Sequence, residues 1–378
     1  MTADMTFTAV AEARPGPKWC ARWTLSWPAY RAWFEARGGR EGPDRAECVA
    51  ALARYMPELV PVHRRLAMLA GGDDLAARFL STWCPPPYLG GCSVAAIPSD
   101  GAATLVRNYD LSPDLNEGLL LRTEWTGTPV MGMTEFLWGL SDGINAHGLS
   151  VALAFGGTHA TGRGFGICTI LRYVLETCRS VAEARAVLAR VPSHMDYNLV
   201  LADAAGETAS VEMHAGGGCT ARAPSIATNH QLSAPLPDKA SFTRTVERRA
   251  CLSRLVSGAG PLEDKLGAFL APPLYQTDFA GGFGTLFTAV YAPREARMRL
   301  LWPDAEMCQN LSDFKETTRH VQLAPAPRDA SGAETSAPGF AELLRHVPPR
   351  NRPAARNWLD RAERGQIDWV AFGMLFAA

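Results

Sequence analysis

The chain has 378 residues, is 47% hydrophobic and 20% charged, and carries a formal net charge of −1. That is ordinary globular composition, sufficient for one large domain with appendages or for two domains. The near-zero charge gives no electrostatic reason to expect nucleic acid or a membrane surface as partner, and no run reaches the ~18 apolar residues of a membrane span. The opening "MTADMTFTAVAEARPGPKWC" has no basic stretch followed by an apolar one, so no secretory signal is expected. Nine cysteines are scattered without a CxxC pair, and eight histidines show no HExxH spacing. Neither a disulfide framework nor a metal site is therefore expected. Reduced cysteines suit the cytoplasm, and most should be small buried hydrophobes.

In chain order, "AYRAWFEARGG" and "RAECVAALARYMPELVPVHRRLAMLAG" place apolar residues three and four apart, so 1–91 reads as a helical segment. "STWCPPPYLGG" then stops helical structure. From Cys92 the period shortens. "CSVAAI", "ATLVRNYD" and "GLLLRTE" are β-favouring runs between the turn compositions "PSDG" and "SPDLNE". "TEFLWGLSDGINAHGLSVALAFGG" reads as a hairpin about "DGINAHG". Two helices follow, the second opened by a Ser180/Glu183 capping box. "YNLVLADAAGETASVEM" is another hairpin turning at Ala205-Gly206. "SFTRTVERRACLSRLV" is helical, and "GTLFTAVYAPREARMRLLWP" gives a strand pair. Residues 92–323 thus form the main domain, 324–338 an Ala/Pro/Ser-rich linker and 339–378 a helical tail. Helices, strands, helices and strands in succession point to an α+β fold with largely antiparallel sheets.

The chemistry concentrates at Cys92, which follows two glycines. A thiol reacts as thiolate, and cationic neighbours lower its pKa from about 8.5. If "CSVAAI" pairs with "TLVRNYD", Arg107 and Asp110 return beside Cys92. Arg107 could steady the thiolate or bind a substrate carboxylate; Asp110 could fix an ammonium or orient the thiol. Neither His63 nor His147 is tied to Cys92 by a motif. Cleavage between Gly91 and Cys92 would supply a base, an α-amine of pKa about 7.7–8.0 on the nucleophile itself. The plainer alternatives are a buried strand cysteine, a surface Arg107–Asp110 pair and turn-forming asparagines.

The ordered set "GGCS" (90–93), "VRNYD" (106–110), "GINAHGLSVA" (143–152), "YNLVLADAAGE" (197–207), "ATNH" (227–230) and "GTLFTAVYA" (284–292) resembles the N-terminal-nucleophile hydrolases. Within them it is similar to the linear-amide branch that includes the acyl-coenzyme A:6-aminopenicillanic acid acyltransferases. The resemblance implies a four-layer αββα sandwich and a self-exposed Cys92 nucleophile supported by Arg107 and Asp110. It also implies Asn145 and Asn229 around the amine and the oxyanion, and a second arginine for substrate, with Arg244 the first candidate and the nearby Arg248 the alternative. The implied reaction is amide hydrolysis or acyl transfer on a small acylated amine. No cofactor is needed, coenzyme A would enter only as an acyl donor, and the two self-cleaved fragments would stay associated. The competing expectation is a non-catalytic, unprocessed relative with a binding or scaffolding role.

Overall fold

A computed structural model describes residues 3–88, 90–99, 101–279, 281–323, 351–354 and 356. The linker expected at 324–338 and nearly all of the tail expected at 339–378 lie outside the described residues. The segment before Cys92 is not purely helical, because it opens on a strand, β1 (Ala3–Ala11). Met5, Phe7 and Ala9 are buried while Asp4 and Thr6 are exposed, the period-two pattern of a half-buried strand. Four helices follow: α1 (Pro17–Ala36), α2 (Arg45–Tyr55), α3 (Val60–Leu69) and α4 (Asp74–Ser81). Asp44 and Asp73 cap α2 and α4 by accepting backbone N–H groups.

Strands β2 (Gly91–Ser99) and β3 (Ala102–Leu111) form a hairpin, and β4 (Leu119–Thr123), β5 (Val130–Glu135), β6 (Gly139–Asn145) and β7 (Ser150–Phe155) form a meander. Helices α5 (Ile167–Thr177) and α6 (Val181–Arg190) lead to β8 (Tyr197–Ala202), β9 (Thr208–Met213), β10 (Cys219–Arg222) and the short β11 (Ile226–Ala227). Then come α7 (Ala240–Thr243), α8 (Thr245–Ser257), α9 (Leu262–Phe269), β12 (Thr277–Asp278), β13 (Phe283–Ala292), β14 (Arg297–Trp302), β15 (Ala305–Asn310) and β16 (Thr317–Leu323).

The strands make two sheets. One runs β10-β9-β8-β7-β6-β5-β4-β1-β16, the other β11-β2-β3-β13-β14-β15 with β12 beside β13. Among the described residues, the pairings between these strands are antiparallel except β1 with β4. The sheets stack face to face through β2 and β3 against β7 and β8. Helix α5 covers the far side of the first sheet over β5–β7, and α8 and α9 cover the far side of the second. The order of layers is helix, sheet, sheet, helix, as the resemblance implies. Period-two alternation divides β2 cleanly: Cys92, Val94 and Ala96 join the core between the sheets, while Ala95 and Ile97 join the core beneath α8 and α9. No helix among the described residues is long and apolar enough to cross a membrane.

Candidate active site

The β2–β3 register sets Cys92 opposite Tyr109 and Gly91 opposite Asp110. Since side chains alternate, Cys92, Arg107 and Tyr109 face the inter-sheet space. Ser93, Asn108 and Asp110 face the α8/α9 side. Arg107 and Asp110 are three residues apart, an odd interval, so they stand on opposite faces of the sheet. Both belong to the cluster, but they reach it from different sides.

Arg107 is fully buried and every arm is engaged. Its Nη2 donates to Cys92 Sγ at 3.1 Å and its Nε to the Leu153 carbonyl at 3.0 Å. Its Nη1 donates to Ser141 Oγ at 2.9 Å and to the Asp142 carboxylate. Tyr291 O–H donates to the same carboxylate. Burial alone would lower the Arg107 pKa, but Cys92 and Asp142 raise it, so the guanidinium stays charged. The Cys92 thiol is 0% exposed, and burial pushes its pKa up to about 11, with Asp110 adding to the rise and Arg107 and Arg248 opposing it. In the uncut chain the thiol is therefore neutral at physiological pH.

On the other side, α8 presents the buried stripe Thr245, Arg248, Leu252 to the sheet. Arg248 Nη1 donates to the Cys92 carbonyl at 2.6 Å and to Ser93 Oγ at 2.8 Å, and lies 3.5 Å from Asp110 Oδ2. Its Nη2 donates to Asn229 Oδ1 at 2.6 Å. The same Asn229 oxygen accepts the Cys92 backbone N–H at 3.1 Å, and Asn229 Nδ2 donates to the Gly90 and Phe155 carbonyls at 3.4 and 3.3 Å. Asp110 also accepts from Thr285 Oγ1 at 2.7 Å. Burial raises the Asp110 pKa and lowers that of Arg248, each weakening its own charge.

Five expected residues thus meet: Gly91, Cys92, Arg107, Asp110 and Asn229. The structure brings in Arg248 and not Arg244, the arginine first expected. Arg244 adopts a left-handed φ of 50° between α7 and α8, stays exposed and pairs with Glu247. Asn145 is not brought to Cys92. It closes the β6–β7 turn, donating to the Leu175 and Cys178 carbonyls and accepting from His147 and Leu149 N–H, so its amide is fully used. It stands three positions beyond Asp142, about 10 Å along the strand. The sequence reading missed Asp142, Ser141, Tyr291 and Thr285. It set "DGIN" in a turn, whereas those residues continue β6 and aim Asp142 at Arg107. Gly91 is forced by packing: a Cβ there would fall 2.2 Å from Phe283 Cε2 and 3.0 Å from the Asp110 carbonyl.

These features describe an α+β protein of two stacked sheets whose central hairpin carries a buried cysteine between two arginines. A sequence profile of the acyl-coenzyme A:6-aminopenicillanic acid acyl-transferase family matches residues 98–306, more than half of the chain. The chain belongs to this family, and so to enzymes that transfer acyl groups. No curated protein sequence matches it significantly. Among solved structures it is similar to a variant of conjugated bile acid hydrolase from Clostridium perfringens, at 13% identity and TM-score 0.44, over 64% of this chain and all of that one. Penicillin V acylase from Agrobacterium tumefaciens gives 15% and 0.42, over 58% and 86% of the two chains. The Caenorhabditis elegans N-acylethanolamine-hydrolyzing acid amidase ortholog gives 17% and 0.43, over 62% and 100%. At these TM-scores the likenesses are distant, and the family assignment stands on the sequence profile.

Proposed function

We propose that Cys92 is the nucleophile of an autoprocessed cysteine amidohydrolase or acyltransferase, activated by cleavage between Gly91 and Cys92. The observation that carries this reading is the separate grip on the two halves of one residue: Arg107 holds the sulfur and Asn229 holds the backbone nitrogen. A structural cysteine needs neither.

In the first stage the thiol adds to the Gly91 carbonyl carbon. The C–N bond then breaks, leaving Gly91 as a thioester on Sγ and the nitrogen as a free amine. Water hydrolyses the thioester to a Gly91 carboxylate and restores the thiol, so one water is consumed overall. In the second stage the new α-amine, of pKa about 7.7–8.0, takes the thiol proton. Charge balance explains why the cut comes first. Arg107 and Arg248 are offset by Asp110 and Asp142, so a neutral thiol leaves the cluster neutral and a thiolate in the uncut chain would leave it at −1. A protonated α-amine restores neutrality around the thiolate. The thiolate attacks the substrate's acyl carbonyl, the amine returns its proton to the leaving nitrogen, and a thioester acyl-enzyme forms. Water or an amine then takes the acyl group; an acyl-coenzyme A donor would load the same thiol.

Asn229 would assist at the oxyanion through Nδ2, which in the uncut chain donates to the Gly90 and Phe155 carbonyls; loss of one such donor typically costs about 3 kcal/mol of transition-state stabilisation. Asp110 acts by holding Arg248. Cleavage also frees the end that carries Tyr88, whose ring now packs on Phe136 and Tyr197, giving substrate a way in. The small acylated amine substrate and a reducing, cytoplasmic setting for nine free cysteines complete the reading.

Intact mass under denaturing conditions tests it. Scaling 40.8 kDa by chain length gives fragments of about 10 and 31 kDa for the wild type. Cys92→Ala should remain whole. An uncut wild type would instead favour the unprocessed, non-catalytic relative.

A further inference from the structure

The turn between β5 and β6 holds two bulky residues in the left-handed region, Phe136 at φ 55° and Leu137 at φ 68°. Tight hairpin turns of this kind ordinarily use Asn and Gly, which tolerate positive φ. Here the segment before Cys92 holds the turn in place. Trp19 Nε1 donates to the Leu137 carbonyl at 3.2 Å, and Trp138 Nε1 donates to the Leu80 carbonyl at 3.1 Å. Leu137 N–H donates to Glu117 Oε1 at 2.8 Å, and Tyr30 O–H reaches the same oxygen. The Phe136 ring lies among Tyr30, Trp33, Phe79 and Tyr88.

Such strain persists only where surrounding structure over-determines it, and what it places is Glu135. This carboxyl, 7% exposed, accepts Tyr109 O–H at 2.7 Å and Asn116 Nδ2 at 3.2 Å. Tyr109 is the cross-strand neighbour of Cys92, and its ring centre lies 4.1 Å from Arg107 Cζ. The guanidinium is thus fixed on one side by Asp142 and Ser141 and on its face by a ring whose own orientation depends on Glu135.

We infer that Glu135 and Tyr109 are positioning residues for Arg107, and that the turn carrying Glu135 is set by the N-terminal segment, which is thereby a working part of the site. The inference rests on the reading of Cys92 as the reactive residue, but it is testable without turnover.

The test uses full-length protein labelled with 15N-arginine. The Arg107 Nε–H, buried and bonded to Leu153, gives a side-chain NMR signal assigned by its loss in Arg107→Lys. Tyr109→Phe and Glu135→Ala should each move that signal. Glu135→Gln, which keeps an oxygen for the Tyr109 hydroxyl, should leave it near its wild-type position. The same order should hold for self-cleavage, about tenfold slower in Tyr109→Phe and near normal in Glu135→Gln. An unmoved signal in Tyr109→Phe, or one that moves equally in Glu135→Gln and Glu135→Ala, overturns the inference. Should Glu135→Ala not fold, Tyr109→Phe decides. A wild type that never cleaves refutes the proposed activity while leaving the NMR comparison readable.

Discussion

Replacing Asp142 with asparagine probes the charge balance around Cys92 most directly. The carboxylate and Arg107 are paired with both side chains at 0% exposure. Asparagine keeps the shape and an acceptor for Tyr291, and removes the anion. Deleting one partner of a buried pair costs about 3–5 kcal/mol, because the other charge remains desolvated. That is a large share of the roughly 5–15 kcal/mol by which proteins are stable. At about 2–4 °C per kcal/mol for domains of 150–250 residues, the melting temperature should fall by on the order of 10 °C. The thiol should respond in the opposite sense. With Asp142 neutral, Arg107 favours an anion on Sγ, so the Cys92 pKa should drop from about 11. Each unit of that drop is 1.36 kcal/mol and tenfold more thiolate at pH 8. Calorimetry reads the first effect. Alkylation of Cys92 by iodoacetamide across pH, with both chains kept uncut by Gly91→Ala, followed by peptide mass, reads the second. A variant that melts within about 2 °C of wild type and alkylates with an unchanged pH profile would falsify the charge-balance argument.

Gly91→Ala should leave the chain uncut and cost about 1–3 kcal/mol, since the new methyl must displace Phe283 or the strand pairing with Asp110; intact mass and urea titration read both. Arg248→Met should block cleavage and leave Asp110 as an uncompensated buried carboxyl. Arg244→Met, which breaks only an exposed pair with Glu247, should change stability by less than about 1 kcal/mol. A larger effect of Arg244→Met than of Arg248→Met on cleavage would reverse their assignment. Glu135 supplies a pH test. Burial, with Glu117 and Asp142 nearby and against the pull of Tyr109 and Arg107, pushes its pKa from 4.5 to about 8. Between those values the unfolded chain releases a proton that the folded chain keeps, so folding stability falls as pH rises through the window and levels off above it. The loss is several kcal/mol at most, at roughly 1.36 kcal/mol per unit. Glu135→Gln should flatten that decline in chemical denaturation at pH 5–8; an unchanged slope would show that Glu135 is not its source.

The local parts of the site were legible in the sequence, and the long-range parts were not. Cys92 and Arg107 meet because a tight turn joins two adjacent β runs, so their proximity follows from hairpin geometry alone. The same geometry, with its period of two, separates Asp110 from Arg107 onto opposite faces, and that too is legible in the sequence. Arg248 could have been chosen over Arg244 from the helical stripe Thr245, Arg248, Leu252. Asp142 was hidden by composition, since Asp-Gly reads as a turn; β6 runs through it because Ile144 and Asn145 still pair with β5. Tyr291 and Thr285 reach the cluster from β13, and nothing local in their own strand announces it. The strand β1 is written plainly in the alternation of Met5, Phe7 and Ala9, but the helical spacing of the longer stretches after it extends a helical reading over the whole segment.

That strand changes what a cut at residue 91 would leave behind. Residues Ala3–Ala9 pair with Thr317–Leu323, and Thr8–Ala11 pair with Leu119–Arg122 on the opposite edge. During synthesis β1 must therefore wait for nearly the whole described chain before its second neighbour exists. After cleavage the same pairing would join two separate polypeptides threaded through one sheet. The uncut protein can refold by a unimolecular route at any dilution. The matured pair, once denatured, would have to find its partner again, and its refolding rate would rise with concentration. Maturation would thus convert a fold that can be reached repeatedly into one that is assembled once.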